Sequence, residues 1–304
     1  MYAEGKCEEL ILLEMRKVWI MAEKNHAAHA WVVVRGAGDL ATGVILKLYH
    51  CGFRVIVTEC AQPSAIRRRA ALCEAVWQGT AQVEGVTCRR IQTLEQAGGA
   101  VRDGEIPLLV DEAAECVDIL RPAAVVDAIL AKRNLGTHRE MAPITVGLGP
   151  GFIAGQDVDA VIETMRGHFL GRVIWAGGAI PNTGIPGNIN GYSRERVIHA
   201  PGTGPMTFIR GENGEVIDIG AVVKKGQVIA KVGETPVLAT LDGVLRGLIR
   251  EGYPVVKGLK IADIDPRMDQ VAYCDTVSDK ARAIGGGVVE ALLVMAKKAG
   301  IRLL

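Results

Sequence analysis

The chain has 304 residues, room for one large or two ordinary domains, each with its own core. Aromatic residues make up only 4 % while glycines number 37, a mixture that suits an α/β protein with glycine-rich loops and argues against a disordered or fibrous chain. Lys and Arg (35) nearly balance Asp and Glu (34), which removes the basic excess expected of a nucleic-acid partner.

Residues 1–30 mix Glu4, Glu8, Glu9 and Glu14 with Arg16, Lys17, Glu23 and Lys24. A signal peptide needs a basic start and a clean apolar core, so this stretch reads as a frayed helix or leader outside the main fold. The seven cysteines, from Cys7 to Cys274, contain no Cys-x-x-Cys. They form neither a disulfide framework nor a zinc ribbon and suit a reducing compartment, so a cytoplasmic location is expected. No apolar run reaches bilayer-spanning length, and no membrane partner is expected.

Trp31-Val-Val-Val-Arg35 is the first strand, stopped by glycines. A helix follows over 41–51, with Gly52 just past its end. Arg54–Thr58 is a second strand, and a helical pattern runs from Ser64 to about Val76. Strand patterns return at Leu108–Val110, Ala123–Asp127 and Ile144–Leu148. This alternation predicts a Rossmann-like parallel sheet over 31–176, covered on both faces.

After residue 176 the texture changes. Residues 177–196 hold Ala179-Ile-Pro-Asn-Thr-Gly-Ile-Pro-Gly187, an ordered connector loop. Over 197–266 an internal repeat appears: Gly220-x5-Gly226 recurs as Gly252-x5-Gly258, 32 residues on. At the same offset Lys225 matches Lys257, Ile229 matches Ile261 and Ala230 matches Ala262, while Gly204 and Gly243 open the two halves. Two interlocked hairpin units closing one small all-β barrel-sandwich are expected, with a pattern that resembles biotinyl and lipoyl domains. Those carriers attach their cofactor to a lysine at the turn between the halves. Here the turn is Gly233-Glu-Thr-Pro236 and Lys231 lies in the strand before it, so no covalent biotin or lipoate is expected. Residues 267–304 close the chain with a helix over 281–298 after Ser278, an N-cap type. Gly285, Gly286 and Gly287 cost that helix about 1 kcal/mol each against alanine, which points to close backbone packing or an anion near that point.

The sharpest motif is Gly36-Ala37-Gly38-Asp39-Leu40-Ala41-Thr42, a Gly-x-Gly-x-x-Ala between strand and helix. Gly36 permits the tight turn, Gly38 admits a pyrophosphate to the backbone, and Ala41 lets helix and strand pack closely. Free amides and the helix dipole favour an anion there. Glu59 ends the second strand, where an acidic side chain hydrogen-bonds a ribose, whereas Asp39 inside the loop opposes a pyrophosphate. Nucleotide binding and a Rossmann-like domain that has lost its ligand both remain open.

Lys132, Arg133 and Asn134 supply two cations and an amide beyond a strand end, read either as phosphate contacts or as a solvated loop. Gly147–Gly151 either completes the crevice or is a plain turn. Arg67, Arg68 and Arg69 form a local basic cluster open to anions. His168 is an acid–base candidate without a Ser or Cys elbow, and Cys60 and Cys274 are candidate reactive thiols or selenium acceptors beside the commoner inert reading. No cluster has metal-ligand spacing, so no metal is expected.

Val34-Arg-Gly-Ala-Gly-Asp-Leu-Ala-Thr-Gly43, Asp127–Thr137, Gly149-Pro-Gly-Phe152, Arg166-Gly-His168, Pro181–Gly187 and Ser278-Asp-Lys280 with Gly285–Gly287 together resemble the YqeB-type selenium-dependent molybdenum hydroxylase accessory family. The resemblance runs in order from about residue 31 to 300. It implies an accessory protein in the maturation of those hydroxylases rather than a turnover enzyme, with a hydroxylase client as partner. By position in the loops, Gly36–Thr42, Lys132–Thr137 and Asn182, Thr183 and Gly184 map to ligand contacts. The ligand expected is a nucleotide-like small molecule, the molybdenum cofactor as a molybdopterin dinucleotide; the alternative is an NAD(P)-dependent oxidoreductase. The C-terminal helix and the barrel edge are surfaces suited to a homo-oligomer.

Overall fold

The computed structural model describes residues 30–184, 187–211 and 214–304. The leader expected over 1–30 therefore lies outside the described residues, apart from Ala30.

The first half forms a nine-stranded, mostly parallel sheet. In chain order its strands are β1 (Trp31–Arg35), β2 (Arg54–Glu59), β3 (Thr80–Val83), β4 (Val86–Ile91), β5 (Ile106–Val110), β6 (Ala124–Asp127) and β7 (Ile144–Leu148). A short β8 (Ile153–Ala154) pairs outside the sheet with β11 (Gly177–Gly178), and β9 (Ala160–Ile162) and β10 (Val173–Ile174) complete it. The spatial order is β10-β9-β7-β6-β1-β2-β5-β4-β3, antiparallel only at its two edges.

The apolar runs of the central strands are continuous because both faces are buried. Val32, Val34, Val55, Val57, Ala124 and Val126 point into one core, and Trp31, Val33, Ile56 and Val125 into another. The helices are α1 (Asp39–His50), α2 (Ala75–Gln78), α3 (Ala97–Arg102), α4 (Cys116–Leu120) and α5 (Asp279–Ala299). Residues of α1 and α5 cover the first face, and residues of α3 and α4 belong to the second core. Among the described residues no helix is long and apolar enough to cross a membrane.

The C-terminal helix is continuous through Gly285, Gly286 and Gly287, and Ser278 caps it by accepting from the Ala281 amide. Close packing explains two of the three glycines. A Cβ on Gly285 would lie 2.6 Å from the Gly43 carbonyl oxygen, and one on Gly287 would run into the carbonyl of Gly171. Gly43 in turn has no room for a Cβ against Ala281. Because Gly43 meets Ala281 and Lys47 meets Gly285, α1 and α5 run parallel, with both N-termini at the same end.

Eight strands build the second half: β12 (Val197–His199), β13 (Gly204–Phe208), β14 (Val222–Val223), β15 (Val228–Val232), β16 (Thr235–Leu238), β17 (Gly243–Leu248), β18 (Pro254–Val255) and β19 (Lys260–Asp265). They form two antiparallel sheets, β12-β19-β17-β14 and β16-β15-β13-β18, over a shared core that includes Val223, Ile229, Val255 and Ile261. The sequence repeat is a structural one. β14 of the first copy pairs with β17 of the second, and β18 of the second pairs with β13 of the first, so the two units interlock. The four repeat glycines, Gly220, Gly226, Gly252 and Gly258, all have φ between 79° and 95°, the turn geometry that fixes each short strand to its long one.

One expected element is absent. The segment 64–76 is not a helix but two 3₁₀ turns, Arg68–Ala70 and Leu72–Glu74, followed by the short α2. Its backbone is recruited by the β unit: the Leu248 amide donates to the Ile66 carbonyl at 2.8 Å. Arg68 and Arg69 face the same neighbour. Arg68 Nε donates to the Leu248 carbonyl at 2.7 Å and its guanidinium pairs with Asp218, while Arg67 Nη2 donates to the Thr276 carbonyl at 3.1 Å. Tertiary hydrogen bonds here outweigh local helix preference, and they join the two halves.

Candidate functional site

The sheet reverses its order at β1: β2 lies on one side of it and β6 on the other. Beyond the carboxyl ends of two such strands the loops diverge and leave a crevice. Arg35 and Asp127, register partners at those ends, are both buried. Arg35 Nη1 lies 3.8 Å from Asp127 Oδ2, and its Nη2 donates to the Glu112 carbonyl at 3.0 Å. Thr137 Oγ1 accepts from Arg35 at 2.5 Å and donates to Asp127 at 2.6 Å. Burial pushes the Asp127 carboxyl above its ordinary value even with these partners. The network ties down a loop in which Leu130 (φ 59°) and Lys132 (φ 62°) hold left-handed conformations. Such conformations cost free energy and persist where the surroundings impose them.

Facing that loop is the glycine turn. Gly36 (φ +95°) donates to the Thr58 carbonyl at 2.7 Å, and a Cβ on it would sit 3.0 Å from the backbone of Ile129. Gly38 is the N-cap of α1, and a Cβ there would meet nothing within 4 Å. Gly38 and the first-turn residues Asp39, Leu40 and Ala41 line the cleft, and first-turn amides have no partner inside a helix. Glu59 staples this turn: Oε2 accepts from the Ala37 amide at 2.8 Å and Oε1 from the Cys60 amide at 2.9 Å. Burial raises the Glu59 carboxyl above its ordinary value against the pull of those two amides. Asp39 turns toward Arg67, 3.5 Å away.

The cleft has two lobes. The inner one, about 510 Å³, is floored by Gly36, Gly38 and Ala41 and flanked by Glu59, Cys60 and Leu130. The outer one, about 700 Å³, lies between the sheet loops and the β unit, against Arg166, Arg194, His199 and Thr164. Lys132, Lys260, Lys280, Pro150, Thr164 and Asn182 line both. Lys280 sits in the first turn of α5, so the N-termini of α1 and α5 and three lysines converge on one space. Burial, and next the nearby Arg166, lower the Lys280 ammonium below its ordinary value. Phosphate-sized anions are the chemistry this arrangement suits.

The structure brings Gly36, Gly38, Asp39, Leu40, Ala41 and Glu59 together at the inner lobe, Thr183 and Gly184 at the outer one, and Lys132 and Asn182 where the two meet. Ala37 and Thr42 lie beneath: Thr42 is buried, and its hydroxyl accepts from the Leu72 amide at 3.0 Å. Arg133 and Asn134 do not line the cleft. The Arg133 backbone packs on Gly151, where a Cβ would come within 2.7 Å of it. The Asn134 amide is used inside its own loop, accepting from Gly136 and Thr137 and donating to the Thr137 carbonyl at 2.7 Å. Pro150 and Leu148 place the Gly147–Gly151 loop at the crevice. The cluster Arg67–Arg69 is taken up by Asp39, Asp218 and Asp275.

His168 is exposed and away from the cleft, and Cys274 is buried in the core of the β unit. Cys60 lines the inner lobe, but burial and Glu59 push its thiol up to about 12. Arg194, His199, Lys260 and Thr164 were not foreseen as site residues, because the chain gives no local motif for them. Ser278-Asp-Lys280 stood out in the sequence, but its lysine is placed at the glycine loop only by the packing of α5 on α1. Among the described residues no group of three or more His, Cys, Asp or Glu could hold a metal ion.

The chain is 50 % identical over 277 residues to the uncharacterized protein YqeB of Escherichia coli (strain K12), a match that covers 91 % of this chain and 50 % of that protein. It thus spans about half the length of this relative. No family model matches the chain, and no solved structure matches it.

Proposed function

We propose that this chain is a YqeB-type protein that holds a phosphate-bearing dinucleotide cofactor, of the molybdopterin dinucleotide class, in the cleft at the sheet's switch point. In this reading it is an accessory protein that hands the cofactor to a molybdenum hydroxylase client. The observation that carries it is the convergence of two helix N-termini and Lys132, Lys260 and Lys280 on the open glycine turn. The residues fit such a group. Gly38 leaves open the space where a side chain would stand at the start of α1, the lysines supply charge, and the two lobes together exceed the 300–1,000 Å³ of an ordinary small-molecule pocket. The lipoyl-like β unit acts as scaffold and docking element: the β15–β16 turn carries no lysine at its tip, and Lys231 is paired within β15 opposite Pro236.

Thermal unfolding of the full chain with molybdopterin dinucleotide, CTP, ATP, NAD or NADP tests the reading. A ligand at 100 times its Kd adds about 2.7 kcal/mol, which raises Tm by about 5 °C for a chain of this size. A rise with the pterin dinucleotide or with CTP supports the proposal. A rise with NAD or NADP alone supports the oxidoreductase reading instead, and no rise with any of them overturns nucleotide-type binding.

A further inference from the structure

The two copies of the β repeat are not equivalent where one of them meets the cleft. Val228 opens β15 and Lys260 opens β19, 32 residues apart like the repeat glycines. Leu238 ends β16 and His199 ends β12, 39 residues apart like Gly204 and Gly243. The four residues form two equivalent cross-strand pairs: Val228 stands opposite Leu238, and Lys260 opposite His199. The same structural position is therefore apolar in one half and basic in the other, and the basic half is the one that walls the outer lobe.

That lobe is one-sided in charge although the chain's formal net charge is only +1. Lys132, Arg166, Arg194, Lys260 and Lys280 line it together with His199, and among the described residues no carboxylate does. Arg166 is tied to Asp279 by hydrogen bonds of 2.7 and 2.9 Å. Asp263 lies behind Lys260 and bonds Arg196 at 3.4 Å. Glu163 is spent on the Met165 and Ile180 amides at 2.7 and 2.8 Å, where it holds the wall in place. No ion pair is formed by Lys132, Arg194, Lys260 or Lys280 among the described residues.

We propose that the outer lobe is a second oxyanion site, built by Lys260, His199 and Arg194, that takes a phosphate group distinct from the one at the glycine turn. It rests on the proposed function only in sharing a cleft with the nucleotide. The phosphate belongs either to a separate phosphorylated small molecule or to the far end of one long ligand.

The test is titration of the full chain with inorganic pyrophosphate, alone and after saturation with the nucleotide that binds best. The diagnostic variant is His199→Leu with Lys260→Val, which installs the pair the other half of the β unit already carries and so preserves the fold. The expected result is at least a tenfold loss of pyrophosphate affinity in this variant, with Tm near that of the wild type. Undiminished binding in the nucleotide-saturated protein identifies a separate ligand. Mutual exclusion, with His199→Leu alone, whose side chain lines only the outer lobe, also weakening a dinucleotide but not a mononucleotide, identifies one ligand spanning both lobes. Unchanged pyrophosphate affinity in His199→Leu/Lys260→Val, or none in the wild type, overturns the site. Gly38→Asp separates the two ideas, since it removes nucleotide binding at the inner lobe while sparing pyrophosphate at the outer one.

Discussion

Gly38 occupies the N-cap of α1 with φ −63° and ψ 178°, a conformation open to any residue, and among the described residues nothing lies within 4 Å of where its Cβ would stand. Neither strain nor packing calls for glycine here, so what its missing side chain leaves open is the approach to the cleft. Aspartate is a favoured N-cap, so Gly38→Asp should leave stability unchanged or a few tenths of a kcal/mol higher while its carboxylate repels an anion. Thermal melting and a nucleotide titration of the variant check the two halves of that expectation. Cys60 supplies a contrasting case. With its thiol pushed up to about 12, only on the order of 10⁻⁵ of it is thiolate at pH 7. Iodoacetamide at neutral pH should therefore alkylate the exposed Cys51 well before Cys60, as peptide mass spectrometry would show. Early labelling of Cys60 would restore it as a reactive thiol. At Asp279, the hydrogen bonds from Arg166 bring the carboxyl down to about 2. Its stabilising contribution is thus present above the unfolded value of 3.8 and disappears as pH falls from there toward 2. The pair is mostly exposed, so Asp279→Asn should cost at most about 1 kcal/mol at pH 7, and the difference from wild type should vanish near pH 2 in acid-unfolding curves.

Among the elements, α1 and α5 depend on glycine for their contact. A methyl on Gly43 would lie 2.6 Å from the Ala281 Cβ, and one on Gly285 would meet Gly43's own carbonyl. Gly43→Ala should destabilise the chain by about 1–3 kcal/mol through overpacking and also weaken ligand binding, because it moves Lys280 relative to the glycine turn. Gly286→Ala is the control: a Cβ there meets nothing, so it should gain rather than lose stability. Chemical denaturation of both variants gives the comparison. The three helix glycines pointed to close backbone packing or a nearby anion, but not to Gly43, 242 positions upstream of Gly285, as the partner. The strands were legible because Val32–Val34 and Val125–Val126 are runs that only a sheet buried on both faces accommodates. The segment 64–76 misled for the opposite reason. Its helical pattern is local, whereas its structure is set by Leu248 and Asp218, far along the chain.

Across the whole molecule, the cleft exists because two separately readable units are pressed together. The glycine turn belongs to the sheet, and Lys260 and His199 to the β unit. Arg68 holds the junction by its bonds to the Leu248 carbonyl and Asp218. The sequence disclosed the inner lobe, which is a local motif, and the interlocked repeat, which is a periodicity. Of the outer lobe it disclosed only Lys132 and the loop of Asn182, Thr183 and Gly184; the cations at 166, 194, 260 and 280 share no pattern along the chain. The measurement that bears most directly on the account is calorimetric titration of molybdopterin dinucleotide into the full chain beside Lys280→Met. Binding at one site per chain, weakened at least tenfold by the loss of this ammonium, is the result predicted for a ligand held where the two helix N-termini meet. Affinity unchanged by Lys280→Met, or no binding to the wild type at all, would contradict it.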